Sequence, residues 1–300
     1  MAEATPRTDA AAPTYRLLTR ADIPGAQRLR ELAHWNQTDR DWEHLLEFEP
    51  LGCFAAEYAG QLAGTATTTR FLPAAGAGSF GWVGMVLVDP GIRRMGIGST
   101  LLKRCIAYLE GAGVETVRLD ATPMGKKVYD QLGFADEYGL ERWEGTARGT
   151  FPAASVCTVE ALTAERLDGV AAWDREVFGA DRVRVLAAWR ADWPECALAA
   201  YAGGTLAGYA LARRGSRFQQ IGPIVAASPV VAEGLLQALL HRLSGQPVIV
   251  DFVTSNAWTA ELLARSGLAQ QRPFIRMAKG PNRSPGNPGP ILAITCPELG

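Results

Sequence analysis

"DPGIRRMGIGSTLLKRCIAYLEGAG" (residues 89–113) gathers five glycines and four arginine or lysine side chains into one short passage. It follows an apolar run, Met85–Val86–Leu87–Val88, and leads into Leu101, Leu102, Cys105, Ile106 and Leu109, whose spacing predicts a helix over about residues 97–110. Gly111 and Gly113 can end that helix. A basic, glycine-rich turn between a strand and a helix is built for an anion. Bare backbone N–H groups approach the ligand closely, and the helix start adds its positive end. Two nucleotide templates fail at the residue that does the work. Aligned as G-x-x-x-x-G on Gly91 and Gly96, the turn has Ile97 where a P-loop needs lysine. Aligned as G-x-G-x-x-G from Gly96, it has Leu101 where the third glycine belongs. What remains is R-x-x-G-x-G, Arg93 to Gly98.

The bulk numbers keep this positive site local. The 300 residues carry a formal net charge of −1, which argues against a nucleic-acid partner bound through a general basic field. Hydrophobic residues make up 48% and charged residues 20%, enough for a sizeable core, and the length points to two domains. No apolar run approaches a membrane span, so no membrane partner is expected. The five scattered cysteines contain no C-x-x-C, and His34, His44 and His241 form no metal pattern. Reduced thiols, no metal and a cytoplasmic location are the expectations. "MAEATPRTDAAAP" has no apolar signal core; residues 1–12 are expected to be a disordered leader.

Along the chain, residues 15–18 suggest a strand, and residues 19–33 and 39–48 suggest helices. Residues 53–72 suggest a hairpin turning at Ala59–Gly60, and 80–90 a buried strand. After the turn and its helix come a strand (116–122), a helix (126–132) ended by Gly133, and a strand (141–145). The second half repeats the order. "CALAAYAGGTLAGYALARRG" (196–215) echoes "CFAAEYAGQLAGTATTTR" (53–70), which points to an internal duplication. Its strands are expected at 156–162, 219–227 and 247–253, with helices near 163–178, 181–192, 230–243 and 256–268. A linker near 145–155 separates the copies, and residues 279–291 form a Pro/Gly-rich segment before a short C-terminal strand or tail.

The strand, the R-x-x-G-x-G turn, the helix and then "KKVYDQLGF", with Tyr129, Gly133 and Phe134 in Y-x-x-x-G-F spacing, together resemble the GCN5-related N-acetyltransferases over residues 15–145. The resemblance implies an α/β fold: two tandem domains, each a mixed, mostly antiparallel sheet flanked by helices. A leader at 1–12 would precede a catalytic domain at 13–147 and a degenerate copy at 155–300. It implies acetyl-CoA as cosubstrate, held by Val86, Leu87 and Val88 on the strand and by Arg93, Arg94, Met95, Gly96, Ile97, Gly98 and Ser99 in the loop. Thr122 and Lys126 would contribute further on. Tyr129 matches the tyrosine that protonates the departing thiolate. The family's usual acid on the strand before the loop is missing, so Glu57 and Asp120 are the candidate bases. Thr122 stands where the family often has asparagine.

"HWNQTDRDW" (34–42) falls where this family builds its acceptor wall, which makes Trp35, Asn36 and Asp39 candidate substrate contacts. In the second copy "ASPVVAEG" (227–234) replaces the loop and Leu263 the tyrosine, so that copy is expected to support folding or lend acceptor contacts such as Asp181 and Asp251. The resemblance thus implies acyl transfer, most simply of acetyl, to a small-molecule amine by a monomer or homodimer. A CoA-binding sensor without turnover, or an acetyltransferase acting on protein N-termini or lysines, are the alternatives.

Overall fold

The computed structural model describes residues 12–73, 79–148, 157–283 and 285–300. The expected leader (1–12) therefore lies outside the described residues except for its last position, as does most of the expected linker. The first half runs β1 (Thr14–Leu17), α1 (Ile23–Leu32), α2 (Asp39–Phe48), β2 (Phe54–Tyr58), β3 (Gln61–Pro73), β4 (Phe80–Val88), α3 (Ile97–Gly111), β5 (Thr116–Ala121), α4 (Pro123–Gln131) and β6 (Ala135–Thr146). The second runs β7 (Thr158–Ala161), α5 (Leu167–Phe178), β8 (Ala180–Asp181), α6 (Val183–Asp192), β9 (Leu198–Ala202), β10 (Thr205–Arg213), β11 (Gln219–Ala226), α7 (Pro229–Arg242), β12 (Pro247–Val253), α8 (Ala257–Arg265), β13 (Ala269–Lys279) and β14 (Ile291–Ala293).

The local signals explain most of these boundaries. Ala59 and Gly60, at φ of 49° and 75°, turn β2 into β3 with both residues left-handed, which suits the twist of a hairpin. Thr38 caps α2 in a reciprocal box with Asp41. Leu101, Leu102, Cys105, Ile106 and Leu109 are all buried, so the apolar stripe of α3 faces the sheet as its spacing predicts. Two readings need correction. The strand expected at 141–145 begins at Ala135, and residues 269–279, left without an element, form a long strand.

That strand decides the architecture. The sheet order is β1-β2-β3-β4-β5-β13-β6-β12-β14-β11-β10-β9-β7, with β8 added on the far end of β3. β13, from the second half, sits between β5 and β6 of the first, pairing Ile275 with Ala121 and Phe274 with Leu140. On its other edge β6 pairs with β12, setting Arg142 opposite Asp251. Strand pairing therefore crosses the sequence boundary drawn at 147–155, and the two expected sheets form one continuous sheet.

The two faces of this sheet differ. On one, α1, α2, α5 and α6 cover a single core that mixes the halves: Leu29, Trp42, Phe71 and Trp82 with Phe178, Trp189, Tyr209 and Leu299. On the other there are two separate cores, one under α3 and one under α7 and α8. The last residues return to the shared face, where Cys296, Glu298 and Leu299 are buried. A Cβ on Gly84 would lie 2.9 Å from Glu298 Cα, so glycine there lets the tail cross β4.

Candidate active site

β4 and β5 run parallel and pair only from Phe80–Thr116 to Trp82–Arg118. Beyond that point they part. β4 also carries a bulge there: its register with β3 shifts between Thr65 and Thr67, and Met85 adopts a φ of 51°. Thr65 Oγ1 donates to the Met85 carbonyl at 2.9 Å and holds the bulge. The split leaves one edge of β4 facing a cleft instead of a neighbouring strand.

The glycine-rich turn closes one end of this cleft. Asp89 fixes its entry, accepting from Gly91 N–H at 2.9 Å and pairing with Arg28 at 2.6 Å. Arg94 and Gly96 have φ of 70° and 77°, and Gly96 is the N-cap of α3. The helical ladder starts with Thr100 N–H on the Gly96 carbonyl at 2.9 Å, so the N–H groups of Ile97, Gly98 and Ser99 have no partner in the helix. A Cβ at Gly98 would sit 3.3 Å from Val88, so a larger residue would crowd the strand end. Arg93 and Arg94 line the cleft and carry no ion pair among the described residues. Open N–H groups, a helix start and two free cations fit a pyrophosphate.

The cleft measures about 770 Å³ and passes through the split from the α3–α4 side to the shared face. Val86, Leu87, Val88, Arg93, Arg94, Gly96, Ile97, Gly98, Ser99 and Thr122 all line it. Met95 points outward, 44% exposed, and Lys126 spends its charge on Asp130 at 2.7 Å and Asp136 at 2.9 Å. Thr122 is also the N-cap of α4, accepting from Gly125 N–H at 3.3 Å. Tyr129, further along α4, lines the cleft with its ring edge-on to Phe134. Its hydroxyl has no hydrogen-bond partner among the described residues. Burial pushes its phenol up to about 12.

Of the expected bases, Glu57 lies outside the cleft, half-exposed and bonded to Arg16 at 2.6 Å. Asp120 does line the cleft, but both of its oxygens are taken by Arg276, at 2.8 and 2.9 Å. Burial raises its carboxyl above the ordinary value, against the pull of Arg276.

On the shared face, of the stretch 34–42, Trp35 and Gln37 line the cleft. Gln37 Oε1 is buried without a hydrogen-bond partner. Asn36 staples the α1–α2 loop to the β10–β11 loop, donating to the Phe218 carbonyl and accepting from Arg217 and Phe218 N–H groups at 2.9–3.0 Å. Asp39 is a surface residue bonded to Gln27. Asp181 accepts from Val183 N–H at the start of α6 and pairs with Arg175, away from the cleft. Asp251 is fully buried, gripping Arg142 through two bonds of 2.7 Å, and of the two only Arg142 lines the cleft. Sequence reasoning missed, among others, Arg142, Arg272, Phe274, Pro297 and Glu298, which also line it. The only local strand signal for β13 was the short apolar stretch Phe274, Ile275 and Met277, which Pro273 weakens.

A parallel strand pair that splays beside a bulge, with an R-x-x-G-x-G loop feeding a helix at the opening, defines an acetyltransferase fold of the GCN5-related type. The comparisons agree. Residues 18–134 match the model of the Acetyltransferase (GNAT) family and residues 170–292 that of an Acetyltransferase (GNAT) domain. YitH of Bacillus subtilis, an uncharacterized N-acetyltransferase, is 24% identical over 73% of this chain and 76% of its own. Holothin acyltransferase of a Pseudoalteromonas species is 25% identical, over 74% of each. A Pyrococcus horikoshii structure provisionally described as an acetyltransferase superposes over 99% of both chains with a TM-score of 0.81 at 23% identity. The chain belongs to the GCN5-related N-acetyltransferase superfamily, as a tandem protein with two such domains.

Proposed function

We propose that the protein transfers an acyl group, in the first instance acetyl, from acyl-CoA to the amine of a small molecule. One observation carries the reading: a single cleft runs from a glycine-rich loop with open N–H groups and two arginines, past an unbonded tyrosine hydroxyl, to an aromatic and polar wall on the other side of the sheet. Arg93, Arg94 and the first N–H groups of α3 would hold the pyrophosphate of acetyl-CoA, and the free edge of β4 its pantetheine arm. Bound there, acetyl-CoA supplies the activated acyl group. N–H groups of β4 around Val86 to Val88 would polarise the carbonyl oxygen.

Tyr129 keeps its proton at every physiological pH. Against an ordinary thiol near 8.5, full transfer from a phenol at about 12 is uphill. Its hydroxyl therefore serves the departing sulfur first as a hydrogen-bond donor.

For the base we favour Glu298 over Glu57 and Asp120. It lines the cleft, its backbone crosses β4 at Gly84, one residue before the bulge, and Arg213 takes only Oε1, at 2.9 Å. The Pro297–Glu298 tail, Trp35 and the Arg142–Arg272 side also bound the acceptor end, which favours a small acceptor over a peptide running through. The test is release of free CoA and acetylated product from acetyl-CoA across a panel of amines.

A further inference from the structure

A second cavity, of about 350 Å³, adjoins the acceptor end of the cleft and shares Ala33, Arg142 and Arg272 with it as walls. Arg217 and Asn36 close its other side, and no aspartate or glutamate is among the described residues that line it. The three arginines differ in how their charge is met. Arg142 is neutralised by Asp251. Arg217 has no ion pair among the described residues; it donates to the His34 carbonyl at 3.0 Å. Arg272 has neither a hydrogen bond nor an ion pair among them, and its Nε is buried. Its guanidinium rests over Phe274, 4.9 Å from the ring centre, and Arg142 lies 5.2 Å from the same ring.

Arg272 is half-buried, and a guanidinium whose Nε is buried without a partner is costly, more so with a second cation beside it. Burial, followed by the Arg142 charge, pulls Arg272 down to about 10. Stacking on Phe274 satisfies the face of the guanidinium but none of its N–H donors. The missing partner is an anion, and a planar fork selects an oxyanion.

We propose that this cavity is the far end of the acceptor site and takes an oxyanion, a carboxylate or a phosphate, carried by the substrate and held by Arg272 and Arg217. In calling the ligand an acceptor, this rests on the acyl-transfer reading; the preference for an anion does not. Gln37, on the wall of the cleft, offers its unpartnered Oε1 to the amine end of the same molecule.

The test is equilibrium binding of product-like probes to the full chain, with and without CoA. One series is N-acetylglycine, N-acetyl-β-alanine and N-acetyl-γ-aminobutyrate, each against its primary amide; the other is N-acetyl-O-phosphoethanolamine against N-acetylethanolamine. At least one anion should bind about tenfold or more tightly than its neutral partner, the loss expected for charge-assisted bonds. Arg272→Gln should remove most of that preference and Arg272→Lys restore part of it. Arg217→Gln, at an exposed position where folding is not at risk, should weaken it. A stronger phosphate series assigns the site to phosphate, a stronger acid series to carboxylate. Equal binding of anions and neutrals, no binding of any anion, or a preference surviving the double Arg217→Gln/Arg272→Gln variant overturns the proposal. Acetyl-CoA is titrated separately. Its failure to bind would sink the acyl-transfer reading while leaving the anion preference measurable.

Discussion

Arg276 on β13 grips Asp120 on β5 through two hydrogen bonds of 2.8 and 2.9 Å, although 156 residues separate them. The pair is buried at the seam where the second half enters the first, and its aspartate borders the cleft. A carboxylate so engaged sets the wall's shape and the seam's register. It is poorly placed to take up a proton from an amine. Asp120→Asn should therefore cost about 3–5 kcal/mol of stability, the penalty for leaving a buried arginine unpaired. Chemical unfolding checks this, and kcat per folded molecule should stay within a few-fold. A loss of kcat at unchanged stability would return Asp120 to the role of base.

The tyrosine makes the opposite prediction. Tyr129→Phe removes a hydroxyl with no partner among the described residues, so stability should barely change. The rate of acyl transfer should fall about 100-fold, the range for losing one hydrogen-bond donor to developing negative charge, with little change in acetyl-CoA affinity. The native phenol titrates at about 12 and an unfolded one near 10, so the stability it contributes is present below pH 10 and is lost as pH rises to about 12. Correspondingly, the pH–rate profile of the native enzyme should show no falling limb from Tyr129 below about pH 11.

Glu298→Gln should lower kcat about 100-fold with little change in acetyl-CoA affinity. The substitution keeps the side chain's length beside Arg213, so a fold-wide effect is limited. An unaltered kcat would remove Glu298 from the chemistry.

Gly96→Ala isolates the loop. Its φ of 77° costs an alanine about 1 kcal/mol or more, and no neighbour lies within 4 Å to add a clash. Acetyl-CoA affinity should drop several-fold with kcat little affected, as titration calorimetry and steady-state kinetics would show.

A chain ending at residue 147 would retain the loop and Tyr129 but lose β13, leaving facing edges of β5 and β6 unpaired. It should fail to give a cooperative unfolding transition, whereas two independent domains would each give one.

How far the sequence reached follows from where each signal lies. The loop, its flanking strand and helix, and Tyr129 sit within about one continuous βαβα stretch, so periodicity and motif spacing locate them, and most of the residues so named line the cleft. The β13 exchange depends on pairing between segments some 150 residues apart, which no local pattern encodes. Glu298 and Arg272 are single residues with no motif around them, and they become meaningful only when the tail and β13 are brought beside β4 and β6. Asp251 illustrates the reverse error. An aspartate in "PVIVDF" suggested a substrate contact, yet the sheet pairs it with Arg142, and of the two only Arg142 lines the cleft.

The central claim is that this cleft turns over acyl-CoA on an amine. Mass spectrometry of amines incubated with acetyl-CoA and the purified full chain, read alongside free CoA, tests it directly. The account predicts one acetylated product or more, formed in step with CoA and about 100-fold more slowly by Tyr129→Phe. Tight acetyl-CoA binding with neither CoA release nor product from any amine would contradict it and leave a binding protein.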